Sequence, residues 1–321
     1  MKKYPSIEQF RNIIRKVRTT HDYQGCDDVG DAIYQHIEKY PTLVFQGTVK
    51  LHGTNASVVK HSDGRVEFQS RERVLSLEED NAGFMMEMVS KDLEFLFSRF
   101  DFKEYVAIYG EWCGGNIQKS VAINGLDKMF VIFGIMVDGV WVELPRDLYA
   151  NRIGIYNILQ FPTYEVEIDF NTPELAQNTI IEMTISVEEM CPVGKFFGKE
   201  GVGEGIVFTC TTNQELKFKS KGEKHSSSKV KTLNPIDVEA MASINEFVDM
   251  AVSENRLEQG ISFFKENNIE IDIKNISQFL GWVVRDVLKE EADTLLESGL
   301  DDKKVKNAIV NKARLWFLNN L

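Results

Sequence analysis

From Leu43 to Phe218 apolar residues fall mostly in short alternating runs, the spacing of half-buried strands. Val44–Val49 alternates, Asn55–Val59 resumes the pattern, and the turn His61-Ser-Asp-Gly64 leads into Val66–Phe68. Further strands are expected at Tyr105–Tyr109, at Met129–Val137 before the turn Asp138-Gly139, at Gly205–Cys210 and at Glu215–Lys219. Helical spacing marks Ser6–Val17, Ala82–Phe97 and Thr172–Ile181, the last with Thr172 as expected N-cap and Pro173 at the first helical position. After Asn234-Pro235 the pattern becomes helical: Ile236–Ser253, Leu257–Asn267, Ser277–Leu295 and Asp302–Leu318 all read as amphipathic helices. A Lys- and Ser-rich stretch, 221–235, separates the two regimes. The expectation is an α+β domain over residues 1–232 and a small all-helical domain over 233–321.

A length of 321 residues suits two domains, and 43% hydrophobic with 27% charged residues is an ordinary soluble composition. No apolar run is long enough to span a bilayer, and the opening MKKYPSIEQF has lysines but no apolar stretch, so neither a membrane span nor a signal peptide is expected. Cys26, Cys113, Cys191 and Cys210 are widely spaced without a C-x-x-C pair, which fits reduced thiols rather than zinc or disulfides. The net charge of −12 argues against a uniformly nucleic-acid-binding surface. The charge is uneven, however. Lys217, Lys219, Lys221, Lys224, Lys229 and Lys231 face a single acid, Glu223, while acids crowd 77–80 and 286–297. Composition alone fits a solvated lysine loop as well as an anion-binding stripe.

The sharpest local chemistry is Lys50-Leu51-His52-Gly53-Thr54-Asn55, just after a strand. A lysine nucleophile acts only when neutral, so it needs a dry pocket or nearby positive charge, and Gly53 lets the backbone bend towards a ligand. Downstream, in order, stand Ser70-Arg71-Glu72-Arg73, Tyr109-Gly110-Glu111-Trp112-Cys113-Gly114-Gly115, Phe130-Val131-Ile132-Phe133, Gly203-Glu204-Gly205-Ile206-Val207 and Leu216-Lys217-Phe218-Lys219. The glycines 198, 201, 203 and 205 are not followed by Gly-Lys-Ser/Thr, which excludes a Walker A loop. His21, His36, His61 and His225 show no ligand spacing.

This ordered series resembles the nucleotidyl motifs of covalent nucleotidyltransferases, which include DNA ligases, RNA ligases and mRNA capping enzymes. Lysine followed by x-His-Gly-Thr-Asn is most similar to the T4 RNA ligase 2 and kinetoplastid RNA-editing ligase family, since most of the superfamily has aspartate at the place of His52. The stretch from Gly110-Glu111 to Ile117-Gln118-Lys119 is also similar. In the helical part so are Asn255-Arg256, Ile261-Ser262, Gly281, Val284, Asp286, Leu288, Glu290 and Ala313–Phe317. The resemblance implies an ATP-grasp-like ligase domain of antiparallel sheets with helices, followed by the helical domain. It further implies that Lys50 attacks the α-phosphorus of ATP and holds AMP, with Val49 and Leu51 flanking the adenine. Asn55 and Arg71 (or Arg73) would contact ribose and phosphate, Glu111 the ribose hydroxyls, and Phe133 (or Phe130) would stack on the base. Glu204 would hold Mg²⁺, with Mn²⁺ able to substitute, and Lys217 and Lys219 would share a strand face against the triphosphate. His52 would be placed near phosphate or metal. The chain departs from the pattern at Gly134, where relatives carry aspartate, and in a longer lead before the lysine.

The expected activity is ATP-dependent joining of RNA 3′-hydroxyl and 5′-phosphate ends, on a nicked duplex or repair substrate, by a monomer. The expected location is the cytoplasm, a phage protein acting in a host cytoplasm included. The alternatives are an ATP-dependent DNA ligase, whose extra domain is usually strand-rich rather than helical, and a catalytically silent RNA-binding protein on the same scaffold. Lys50, Glu111, Glu204, Lys217 and Lys219 standing together argue against the silent protein.

Overall fold

The structure, a computed structural model, describes all residues except 226–243, 293 and 296–299. They divide into two compact units, Met1–Gly222 and Glu223–Leu321. The boundary expected at 232/233 lies outside the described residues, as do Lys229 and Lys231.

The first unit runs β1 (Glu8–Gln9), α1 (Phe10–Asp22), β2 (Tyr23–Cys26), β3 (Ala32–Tyr34), β4 (Thr42–Lys50), β5 (Thr54–His61) and β6 (Val66–Ser70). It continues through α2 (Phe84–Val89), β7 (Tyr105–Cys113), β8 (Met129–Val137), β9 (Val140–Val142), β10 (Ile155–Asn157) and β11 (Thr163–Asp169). Last come α3 (Gln177–Glu189), α4 (Pro192–Phe196), β12 (Gly205–Cys210) and β13 (Lys217–Lys221). One sheet has the order β1-β13-β12-β4-β11 and the other β10-β8-β7-β5-β6, with β9 on β8 and a separate β2-β3 pair. Pairing is antiparallel except β1 with β13 and β10 with β8.

Alternation decides which face of each sheet is core. In the first sheet Phe45, Val49, Ile206, Phe208 and Phe218 are buried on one face. The i, i+3, i+4, i+7 set of α1 (Phe10, Ile13, Ile14, Val17) is buried too, with the Phe10 ring 4.8 Å from Phe218. Each such side chain contributes roughly 1.5–3 kcal/mol by leaving water. The opposite face carries Gln46, Thr48 and Lys50 on β4 and the lysines of β13. In the second sheet Val58, Ile108, Trp112, Phe130 and Ile132 join Phe68 and Phe84 in a dry cluster. The other face holds Val59, Ala107 and Tyr109, with Tyr4, Phe133 and Trp141 packed on it.

Several element limits differ from the sequence expectations. Glu8–Gln9 pair with β13, so the first helix begins at Phe10 rather than Ser6. The helix expected over Ala82–Phe97 is α2 followed by a short 3-10 turn at Glu94–Leu96, because its buried residues face the second sheet from separate turns. Thr172 makes no side-chain cap bond, and Pro173 opens a 3-10 turn that leads into α3. The first part of the helix expected over Ile236–Ser253 lies outside the described residues.

The second unit contains α5 (Ile244–Ala251), α6 (Glu254–Glu266), α7 (Ile276–Glu290) and α8 (Asp302–Asn319). Phe247, Leu257, Phe264, Phe279, Val283, Ile309 and Phe317 form its core. Arg256, fully buried, reaches Asp286 at 2.9 Å and Glu291 at 3.2 Å and donates to the Ala251 carbonyl. Among the described residues no helix is long and apolar enough to cross a membrane.

Candidate active site

The Lys50 motif is the place where the chain changes sheets. β4 ends at Lys50, and Leu51-His52-Gly53 carries the backbone across to β5. A Cβ on Gly53 would lie 2.4 Å from the Trp112 carbonyl oxygen and 2.7 Å from the Cys113 Cβ, so the crossover passes too close for any other residue. The Gly53 N–H donates to Glu111 Oε1 at 3.0 Å, and Glu111 stands opposite Asn55 in the β5–β7 register. The crossover, Asn55 and Glu111 are thereby fixed as one group.

Register also builds a charge cluster at the end of the first sheet. Gly205 lies opposite Lys50 on one side and Lys221 on the other. Its φ of +150°, and a Ser220 carbonyl oxygen only 2.1 Å from where a Cβ would sit, restrict the position to glycine. Glu204, the residue before it, receives Lys50 Nζ at 2.7 Å on Oε2 and Lys221 Nζ at 3.0 Å on Oε1, with His52 Nδ1 3.4 Å from Oε2. Burial alone pushes the Glu204 carboxyl up, but Lys50, Lys221 and His52 outweigh it and hold the group well below the usual carboxylate range. The Lys50 ammonium is pushed below the ordinary lysine value, first by burial and then by Lys221, against the opposing pull of Glu204 and Glu111. A partly dehydrated amine with a second cation beside it is what a lysine nucleophile requires.

The remaining sequence candidates divide. Lys217, Lys219 and Lys221 share one face of β13, but the lysine on Glu204 beside Lys50 is Lys221, which the sequence reading did not select. Lys217 stands opposite Thr209, four pairs along the strand from Lys221. It donates to the Tyr4 hydroxyl at 3.1 Å and lies 4.3 Å from the Trp141 ring centre, and burial lowers its pKa to about 8. Val49 is buried core on the face opposite Lys50, so its side chain cannot flank a base held there, and Leu51 is buried as well. Phe130 is enclosed in the dry cluster against Phe84, whereas Phe133 lies on the Tyr109 face, which favours Phe133 of the two. Arg73 is bound to the Glu79 and Asp80 carbonyls, while Arg71 is exposed and donates to Ser6 at 3.4 Å. Tyr4, Tyr109 and Trp141 complete the aromatic face, and no motif in the sequence linked them.

A divalent metal finds one hard carboxylate here, Glu204, and among the described residues no group of three or more His, Cys, Asp or Glu side chains gathers around an ion. Mg²⁺ keeps several waters and needs only one or two protein oxygens, so a single carboxylate suits it.

With this geometry in place, the comparisons give the following. The RNA ligase family model matches residues 43–231. No curated protein sequence matches the chain. Among solved structures, Naegleria gruberi RNA ligase with pyrophosphate is similar at 18% identity, over 70% of this chain and 56% of that one, with a TM-score of 0.44. A glutamate mutant of the same ligase with AMP and Mn is 17% identical over 70% and 56%, TM-score 0.44. A lysine mutant with ATP and Mn is 17% identical over 70% and 57%, also at 0.44. The alignment thus spans little more than half the length of these solved proteins.

Proposed function

The chain belongs to the RNA ligase family, and from that premise we propose that it joins RNA 3′-hydroxyl and 5′-phosphate ends with ATP, through AMP held covalently on Lys50. The observation that supports this reading is the Lys50–Glu204–Lys221 cluster, built by register inside the region the family model matches.

In the first step neutral Lys50 Nζ attacks the α-phosphorus of ATP. The N–P bond forms as the bond to the bridging oxygen breaks, pyrophosphate leaves with the electron pair, and the displaced amine proton passes to solvent. Burial and Lys221 favour the neutral amine, and Lys221 also supplies positive charge for the phosphoryl oxygens. Glu111 fixes the crossover through Gly53 and stands opposite Asn55, and Asn55 and Arg71 would contact ribose and phosphate. Phe133 offers a stacking face, with Lys217 beyond it on the facing sheet. Glu204 would hold Mg²⁺ or Mn²⁺, which when bound offsets phosphate charge. In the second step an oxygen of the RNA 5′-phosphate takes AMP from Lys50, breaking the N–P bond. In the third the 3′-hydroxyl attacks that phosphate and AMP departs. In the helical unit a shallow cleft lined by Phe263, Ile269, Gly281 and exposed Arg285 would give RNA a guanidinium for phosphate.

The test is a sealing assay on nicked duplexes with ATP and Mg²⁺. A nick with RNA on the 3′-hydroxyl side is expected to close much faster than an all-DNA nick. Equal rates would move the assignment to a DNA ligase, and binding without sealing to a silent RNA-binding protein.

A further inference from the structure

The start of β5 is held from two sides, and only one of them faces the site. On the site side the Gly53 N–H donates to Glu111. The other side is the dry face of the second sheet, where Ala56 and Val58 of β5 and Ile108 and Trp112 of β7 are buried. Val59, Ala107 and Tyr109 mark the opposite face. The pleat therefore sends Thr54 to the dry face with Ala56 and Val58, and Asn55 to the site face with Val59. On β7 it does the same for Trp112 and Glu111. In the β5–β7 register Thr54 lies opposite Trp112 and Asn55 opposite Glu111. Two cross-strand pairs thus stand side by side, one in the core and one on the site.

The turn before α2 grips the core pair at both of its members. Asn81, 2% exposed, donates from Nδ2 to Thr54 Oγ1 at 2.9 Å. The next carbonyl, that of Ala82, accepts from Trp112 Nε1 at 3.1 Å and from Lys128 Nζ at 2.8 Å. Ala82 stands at φ +51°, in the left-handed region that residues with a Cβ rarely enter. Such a conformation persists only where its surroundings enforce it. Here α2 does so. The Asp80 carboxylate accepts from the Met85 and Met86 N–H groups at 2.8 and 2.9 Å, and the Asn81 carbonyl accepts from the Phe84 N–H at 3.0 Å. The turn thereby presents a donor to Thr54 and an acceptor to Trp112 at the same time.

We propose that Asn81 is a positioning residue of the nucleotide site. It holds Thr54 and, with Ala82, Trp112 from behind the sheet, and the backbone carries that placement to their sequence neighbours Asn55 and Glu111. The proposal rests on the lysine-AMP reading above, in which Asn55 and Glu111 meet the ribose and phosphate of ATP. Asn81 lies behind the sheet, so it acts on ATP only through the pair in front of it. Displacing Asn55 and Glu111 weakens contacts made alike to bound ATP and to the transition state. Such a loss shows in the ATP concentration needed and not in the rate at saturation.

The test uses the full chain as wild type, Asn81→Leu, Thr54→Val and the double variant, with thermal unfolding as folding control. AMP on Lys50 is followed against ATP concentration at fixed Mg²⁺. Asn81→Leu keeps the size of the side chain and removes its donor. Asn81→Leu and Thr54→Val are each expected to raise half-saturating ATP about tenfold, the scale of one buried hydrogen bond, with the saturating rate unchanged. In the Thr54→Val background Asn81→Leu should raise it no further, since both changes remove one interaction. Should Asn81→Leu fail to fold, Thr54→Val and the double variant, which leaves neither partner of the bond stranded, decide the matter. An unchanged half-saturation in a folded single variant, or a fall in the saturating rate alone, overturns the positioning role and leaves the ligase reading intact. So does a further full rise in the double variant. No AMP on Lys50 in the wild type overturns both.

Discussion

Replacing Lys221 by methionine keeps much of the stem's packing and removes the charge. Lys50 and Lys221 approach the two oxygens of one carboxylate at 2.7 and 3.0 Å. At a separation of ~6 Å and an effective dielectric of ~20 two like charges repel by roughly 3 kcal/mol. The side chains are 20% and 12% exposed, so solvent trims the repulsion without abolishing it. Removing Lys221 favours the charged form of Lys50, and Glu204, left to Lys50 and His52, holds that charge more firmly. Both effects make the neutral amine scarcer at neutral pH, by roughly ten- to hundredfold, since each 1.36 kcal/mol is one decade. Single-turnover AMP transfer to Lys50, followed from about pH 6 to about pH 10, should show the variant slower by that factor at low pH and recovering as pH rises. An unchanged rate and pH profile in folded Lys221→Met, or a profile displaced to lower pH, would refute the electrostatic reasoning.

Lys217 has a folded pKa of about 8 against an ordinary 10.5, so its burial cost is fully present below pH 8 and is relieved as pH climbs towards 10.5. Lys217→Met should therefore be more stable than wild type at neutral pH, by at most about 3 kcal/mol because the Trp141 face favours the charged form, and the gap should close in alkali. Melting curves at neutral and alkaline pH check this, and a pH-independent gap counts against it. Gly53→Ala must displace the Trp112 carbonyl or the Cys113 side chain and should cost roughly 1–3 kcal/mol in thermal unfolding; an unchanged midpoint would remove the close-approach argument. Arg256→Met leaves buried Glu291 and half-buried Asp286 without their guanidinium and should destabilise the helical unit by roughly 3–5 kcal/mol in denaturant titration while AMP transfer to Lys50 continues. Loss of AMP transfer in the folded variant would show that the two units are coupled.

Local pattern carried much of this molecule. The alternation around Val44–Val49 and Gly205–Cys210 gave β4 and β12, and the long apolar run at Met129–Val137 gave β8. Thr163–Asp169 was missed, although its burial alternates, because exposed Glu165, Glu167 and Asp169 mask a strand that pairs with β4 only across a long stretch of chain. The lysine strand was recognised, but which lysine reaches Glu204 depends on register: Lys221, not Lys217, lies opposite Gly205, and register is a tertiary property. The family resemblance puts Val49 beside the adenine, yet the pleat turns its side chain to the face opposite Lys50, where it is buried core. Tyr4 was out of reach altogether, since a lone tyrosine in an irregular lead has no period to reveal its packing on Phe133.

The central claim is that Lys50 carries AMP. Protein incubated with labelled ATP and Mg²⁺, denatured and digested, should yield one labelled peptide containing Lys50, with the bond labile to acid, and Lys50→Ala should yield none. Label on another residue, or label that persists in Lys50→Ala, would contradict the account.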